Sequence, residues 1–283
     1  GPVKSPDGTQ EAFIKNYNIY VRNIADGTER RLTDDGGLGF YYSCYMSWSP
    51  DGTRIAASKL RRAEKHYVSF VEASPSDQLQ PKLHKPGDDV DYREPRIVDV
   101  ATGTLHAPST ELFSQQYNLG HPYWLGDSDK IYFEYNQRGH KVYRLLEYSA
   151  ATDAVRPVVE ETSDKFVNYS RLWRRYIRDG KELLWTSERD NHNHIYLYDV
   201  ATGTVKRQIT RGEWYVRNIV DVDEEQGVIY FTASGMNPKE DPYLVHYYRV
   251  GIDEGDPICL TPEDGEHTAV FSPDRSLLVD TYS

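Results

Sequence analysis

Two histidines set two positions apart, His192 and His194, would share one face of a strand and so resemble part of a metal site. A zinc centre needs a third ligand and an acidic partner, and no such set is evident, so no metal is expected. The pairs Asp34-Asp35 and Asp88-Asp89 lack the spaced ligands of a calcium loop and read as turn residues. Glu160-Glu161 and Glu224-Glu225 are carboxylate pairs of the kind that can hold an ammonium group. Both fall in expected outer turns and read as solvated loop charge. Acyl transfer by a serine needs Gly-x-Ser-x-Gly on a sharp strand-to-helix elbow, with a later Asp and His. The 283 residues contain no Gly-x-Ser-x-Gly, so no catalytic residue is assigned and no cofactor is expected. What remains is the one local basic cluster, Arg171, Arg174, Arg175 and Arg178. A guanidinium fork can grip carbonyl oxygens or a carboxylate, or simply pair with surface acids.

These side chains must be positioned by short strands. The phrase Asp-Val-Ala-Thr-Gly-Thr occurs at 99–104 and again at 199–204. Ser-Pro-Asp recurs at 5–7, 49–51 and 272–274, and a related Arg-Asp-Gly-Lys stands at 178–181. Repeats at about 40–50 residues mark propellers and similar arrays. With 23 Tyr against 8 Phe, the aromatic residues suit half-buried strands whose hydroxyls stay wet. No apolar run approaches the ~18–20 residues of a membrane span. The net charge of −11 comes from 44 acidic and 33 basic residues spread along the chain. That disfavours nucleic-acid binding, which needs a concentrated basic face. Cys44 and Cys259 show no zinc spacing and are expected to be free, buried thiols. The chain opens Gly1-Pro2-Val3-Lys4 without Met or a signal-peptide pattern, and reads as an excised piece.

Turn signals divide the chain into successive meanders. Strands are expected at 11–15, 18–23 and 29–33, with no innermost strand before Ser5. A second unit runs through 45–48, 54–59 and 67–72, makes a polar excursion over 73–91, and resumes at 95–100. The third takes 122–125, 130–135, 142–148 and 154–159. The fourth takes 172–177, 182–187, 194–199 and 205–210. The fifth takes 216–222, 227–233, 244–250 and 257–261, and a sixth begins at 268–271 and 277–281. No stretch carries a capped 3.6-residue period, so helices are not expected. The fold expected is all-β: a β-propeller portion over residues 1–283, with about five four-stranded antiparallel blades and the start of another. An incomplete ring exposes strand edges, which favours self-association of the isolated piece.

Several segments resemble the propeller repeats of the dipeptidyl peptidase IV family of serine peptidases. They are residues 5–22, residues 45–57 with Trp48-Ser49-Pro50-Asp51-Gly52, and residues 186–199 ending Ile195-Tyr196-Leu197-Tyr198-Asp199. Gly212-Glu213-Trp214 and residues 271–283 fit the same group, so the resemblance spans essentially the whole chain. It implies a noncatalytic propeller region that gates and orients peptide substrates for an α/β-hydrolase domain absent from these residues. The partners implied are a peptide substrate and that hydrolase domain. An exported or periplasmic bacterial setting is implied as well. Family members hold the substrate amine with paired glutamates, but the matching stretch 34–44 has no Glu pair, which argues against dipeptide-releasing specificity. Arg171 and Arg174 fall where the family presents an arginine to the peptide, and Tyr41, Tyr42 and Tyr45 would line a channel or pack between blades. A reading from another class is a stand-alone propeller that scaffolds protein partners, since fold alone does not settle function.

Overall fold

Strand runs broken by tight turns give the chain its antiparallel ladders. The computed structural model describes residues 1–64, 67–71, 79–84 and 87–283. The first sheet orders β1 (Val3–Lys4), β2 (Gln10–Lys15), β3 (Asn18–Asn23) and β4 (Glu29–Arg31), each bonded to the next. An inner strand therefore precedes Ser5 after all. At two residues, β1 is too short to leave a periodic signature in the sequence.

The second sheet is built from β5 (Tyr41–Trp48) and β6 (Arg54–Arg61), followed in space by β9 (Tyr92–Asp99) and β10 (Leu105–His106). Between β6 and β9 the chain makes a separate hairpin of β7 (Tyr67–Val71) and β8 (Leu79–His84). The strand expected at 67–72 is thus not the third strand of this sheet. β9 takes that place, pairing with β6 along its whole length from Arg54–Asp99 to Arg61–Tyr92. Part of the stretch read as a loop, Leu79–His84, is a strand, while residues 72–78 and 85–86 lie outside the described residues.

In the third sheet β11 (Gln116–Leu119) and β12 (Tyr123–Trp124) both pair with β13 (Lys130–Gln137), which continues into β14 (Val142–Ser149) and β15 (Ala154–Thr162). The fourth is β16 (Arg174–Ile177), β17 (Glu182–Ser187), β18 (His194–Asp199) and β19 (Thr204–Gln208). The fifth is β20 (Tyr215–Asp223), β21 (Val228–Ser234), β22 (Val245–Gly251) and β23 (Ile258–Cys259). A last hairpin joins β24 (His267–Phe271) to β25 (Leu278–Tyr282). Two single 3-10 turns, Glu111–Phe113 and Tyr169–Arg171, interrupt the strands. No helix among the described residues is long and apolar enough to cross a membrane.

The Ser-Pro-Asp repeat has a physical basis that recurs bond for bond. Ser49 Oγ donates to Asp51 Oδ1 at 2.7 Å and accepts the Arg54 N–H at 3.0 Å. Asp51 Oδ1 also takes the Thr53 N–H and hydroxyl. The same bonds join Ser5, Asp7, Thr9 and Gln10, and again Ser272, Asp274, Ser276 and Leu277. Such local side-chain bonds fix a turn without help from the core. Ser49 is fully buried, so Ser49→Ala leaves the Arg54 N–H unsatisfied. We expect a loss of about 1–2 kcal/mol in a urea titration at pH 7. Asp51 is held well below its ordinary 3.8, first by the Thr53 N–H and also by the Thr53 and Ser49 hydroxyls. A depressed carboxylate stabilises the fold above its unfolded value. The difference between wild type and Ser49→Ala should therefore shrink as pH falls below about 4. A difference that stays constant down to pH 2 would count against this account.

The chain divides into two compact units, Gly1–Glu160 and Glu161–Ser283. In the first, Ala12, Ile19 and Val21 pack against Tyr42, Trp48, Ile55 and Val98. The opposite face of the second sheet, with Ala56 and Ile97, meets Phe113, Phe133, Leu146 and Tyr148. In the second unit Leu184, Ile195 and Leu197 meet Val216, Ile229, Phe231 and Tyr248. Middle strands covered on both faces read as unbroken buried runs; β17, Glu-Leu-Leu-Trp-Thr-Ser, is buried at every residue. Both cysteines are free, but both are exposed, contrary to expectation. Cys44 lies where the register of β5 slips between Tyr42 and Met46, and Cys259 lies on the two-residue strand β23.

Candidate functional site

A 3-10 turn before β16 and a bulge at the start of β20 bring two arginines into one cleft. Thr186, on β17, accepts the Trp173 N–H at 2.8 Å and donates to the Arg171 carbonyl at 3.2 Å. That hydroxyl pins the turn carrying Arg171 to the sheet. Opposite, the Asn193 side chain donates to the Val216 carbonyl at 2.9 Å, and the Val216 N–H returns a bond to the Asn193 carbonyl. The ladder between β20 and β21 then slips between Val216 and Asn218, leaving Arg217 out of register. A bulge of this kind re-aims a side chain. Arg217 Nε donates to Ser234 Oγ at 2.7 Å.

The resulting open cleft holds about 530 Å³. Arg171, Trp173, Asn193, Arg217, Asn218 and Ile219 are among its lining residues, and no carboxylate lines it. Its edge is stiffened by His194, which is fully buried. Its Nε2–H donates to the Gly212 carbonyl at 2.9 Å, so the neutral ring accepts the Thr210 hydroxyl at Nδ1. Burial lowers its pKa, and the neutral form follows. His192 lies instead beside Tyr215, ring centroids 4.8 Å apart. Both ring nitrogens of His194 are thus committed to structure.

The four clustered arginines have separate fates. Arg171 is exposed and lines the cleft. Arg174 opens β16, with its guanidinium 5.8 Å from the Tyr176 ring, and is not in the cleft wall. Arg175 faces Asp221 and Glu224, and Arg178 binds Glu182 and Asp253. Of the tyrosines, Tyr42 is buried and donates to Asp35 at 2.8 Å. Tyr45 stands 63% exposed, its ring 4.3 Å from that of His121. Glu224 and Glu225 are exposed, as a turn predicts. Glu160 pairs with Arg144, but Glu161 is buried rather than solvated. It accepts the Trp185 indole N–H and the Ser187 hydroxyl, both at 2.9 Å, and pairs with Arg189 at 2.6 Å. Two neutral donors and a cation replace the water that the turn assignment assumed. Arg217 was not singled out from sequence. Its signal is an arginine within a strand otherwise closed by Val216 and Val222, and it becomes meaningful only once the bulge is known.

The family model for the dipeptidyl peptidase IV N-terminal region matches residues 2–283. Dipeptidyl peptidase 4 of Trichophyton tonsurans is 24% identical over 312 residues, covering 98% of this chain and 39% of that protein. Dipeptidyl peptidase 4 of Trichophyton equinum gives the same identity and coverage. The chain thus spans about two fifths of the length of these relatives. The crystal structure of Porphyromonas gingivalis dipeptidyl peptidase 4 superposes on all of this chain and 42% of its own, with TM-score 0.66 and 20% identity. That likeness fixes the fold as the all-β propeller type anticipated from the repeats. The chain belongs to the dipeptidyl peptidase IV N-terminal-region family.

Proposed function

We propose that this chain is the noncatalytic propeller region of a dipeptidyl-peptidase-IV-like serine peptidase. It gates and orients peptides for a hydrolase domain carried elsewhere in the same protein. The observation that carries the reading is Arg171, held at the cleft mouth by Thr186 through its backbone while its guanidinium stays open to solvent. A planar fork in that position can take two bonds from a peptide carbonyl or carboxylate. Arg174 would act alongside it, more weakly, because its guanidinium lies over Tyr176. The exposed apolar residues Val270, Leu277 and Val279 of the last hairpin offer a surface for a further domain or a second copy to cover.

The test is peptide hydrolysis by the intact protein that carries this region. Arg171→Ala should raise KM about tenfold with kcat nearly unchanged, the mark of binding lost equally in ground and transition states. Arg174→Ala should raise KM by less than about threefold. If neither variant alters kcat/KM for any peptide tested, the orienting role is wrong.

A further inference from the structure

We infer that Arg217 makes this cleft selective for a peptide bearing a carboxylate side chain. The inference rests on the reading of the chain as a peptide-orienting region. Arg217 is half-buried, and among the described residues its side chain makes one hydrogen bond, from Nε to Ser234. Its two terminal nitrogens, with four N–H groups, have no acceptor among the described residues. Ser234 is itself buried, so the guanidinium is anchored at one end to a rigid strand. A partly desolvated cation without a counter-charge is costly unless something supplies the charge. Two acids of the flanking segments are committed elsewhere: Asp221, on the same strand, is held by Arg275, and Asp190 accepts the Gln208 amide at 2.9 Å.

Arg171 supplies a second guanidinium to the same wall, also without an acid facing it. Two unpaired cations in one cleft are unusual on a chain whose net charge is −11. The rest of the wall suits a peptide. Trp173 and Ile219 offer apolar contact, and the exposed Asn218 amide can bond a backbone. A carboxylate side chain reaching between the arginines would receive charge-assisted bonds from both. A neutral isostere would receive weaker ones and leave the charges uncompensated.

The experiment follows the Arg Nε–Hε NMR signals of the intact protein that carries this region, with Arg171 and Arg217 assigned by Arg→Lys substitution. The probes are amidated hexapeptides carrying one Glu at each position in turn, and their Gln counterparts. The best Glu peptide should bind about tenfold tighter than its Gln isostere and move both signals. Arg217→Gln should abolish that preference, weakening the Glu peptide about tenfold and the Gln peptide by much less, and Arg217→Lys should keep part of it. Backbone spectra show that each variant is folded. Equal binding of Glu and Gln peptides overturns this inference and leaves the peptide-orienting role standing. Inorganic phosphate moving both signals as strongly as the Glu peptide, at matched ionic strength, overturns the assignment to peptide carboxylates. No binding of any peptide removes the orienting role and this inference together.

Discussion

Arg189→Met should destabilise the second unit by about 3 kcal/mol, because it strips the counter-charge from a buried carboxylate. Glu161 keeps only 7% of its side chain exposed, against 30% for Arg189. The guanidinium reaches Glu161 at 2.6 Å, bonds Ser187 Oγ through Nε at 2.9 Å, and contacts the Tyr198 hydroxyl. It also lies 4.4 Å from the centre of the Tyr196 ring. Losing it leaves the Glu161 carboxyl group with two neutral donors, Trp185 and Ser187, and no counter-charge. Breaking a fully buried pair costs about 3–5 kcal/mol, and the open side of Arg189 sets the expectation at the lower end. Glu161→Gln should cost less, about 1–2 kcal/mol, since the amide oxygen still accepts a bond and no buried charge remains. The double variant should lie close to Glu161→Gln alone, because the penalty of Arg189→Met depends on the charge of Glu161. Urea titration followed by tryptophan fluorescence reads all three, with Trp185 inside the network. Additive losses, or a larger loss for Glu161→Gln than for Arg189→Met, would show that the pair is not the source of the effect.

Features that depend only on neighbours in sequence were legible. The Ser-Pro-Asp turns at 5–7, 49–51 and 272–274 close through hydrogen bonds within six residues, so their residue types announce them. Strands such as β17 and β21 were found because burial on both faces leaves an apolar run. Pairing across a long separation was not legible. β6 bonds β9, skipping the β7–β8 hairpin, and nothing local to residues 67–71 says that they pair with β8 in a separate sheet. Charges failed for the same reason. Glu160 and Glu161 are adjacent and chemically alike, yet one points to Arg144 and the other into a pocket of Trp185, Ser187 and Arg189. Arg171 was reached through the family resemblance, whereas Arg217 depends on a register slip that no composition records.

The largest single loss expected in the first unit is from Phe133→Ala, about 3–5 kcal/mol. Phe133 is fully buried on β13, opposite Leu146 on β14, and shares its cluster with Ala56 and Ile97 of the neighbouring sheet. Its ring meets Phe113 edge to face, centroids 5.3 Å apart and planes at 85°. Phe113 arrives by a route without strand or helix periodicity, a single 3-10 turn closed by its own N–H on the Thr110 carbonyl. The turn is tied down by Arg144, which donates to the Leu112 carbonyl at 2.8 Å. If Phe113 is a true part of the core, Phe113→Ala alone should cost a similar amount. A double-mutant cycle should then show about 0.5–1.5 kcal/mol of coupling from the ring pair. Phe133→Leu should lose less than half as much as Phe133→Ala, because most of the volume is retained. A turn that only caps the sheet edge would instead let Phe113→Ala pass at under about 1 kcal/mol with no coupling. Denaturant midpoints of these variants therefore decide whether the segment before β11 fills the space between two sheets or merely covers it.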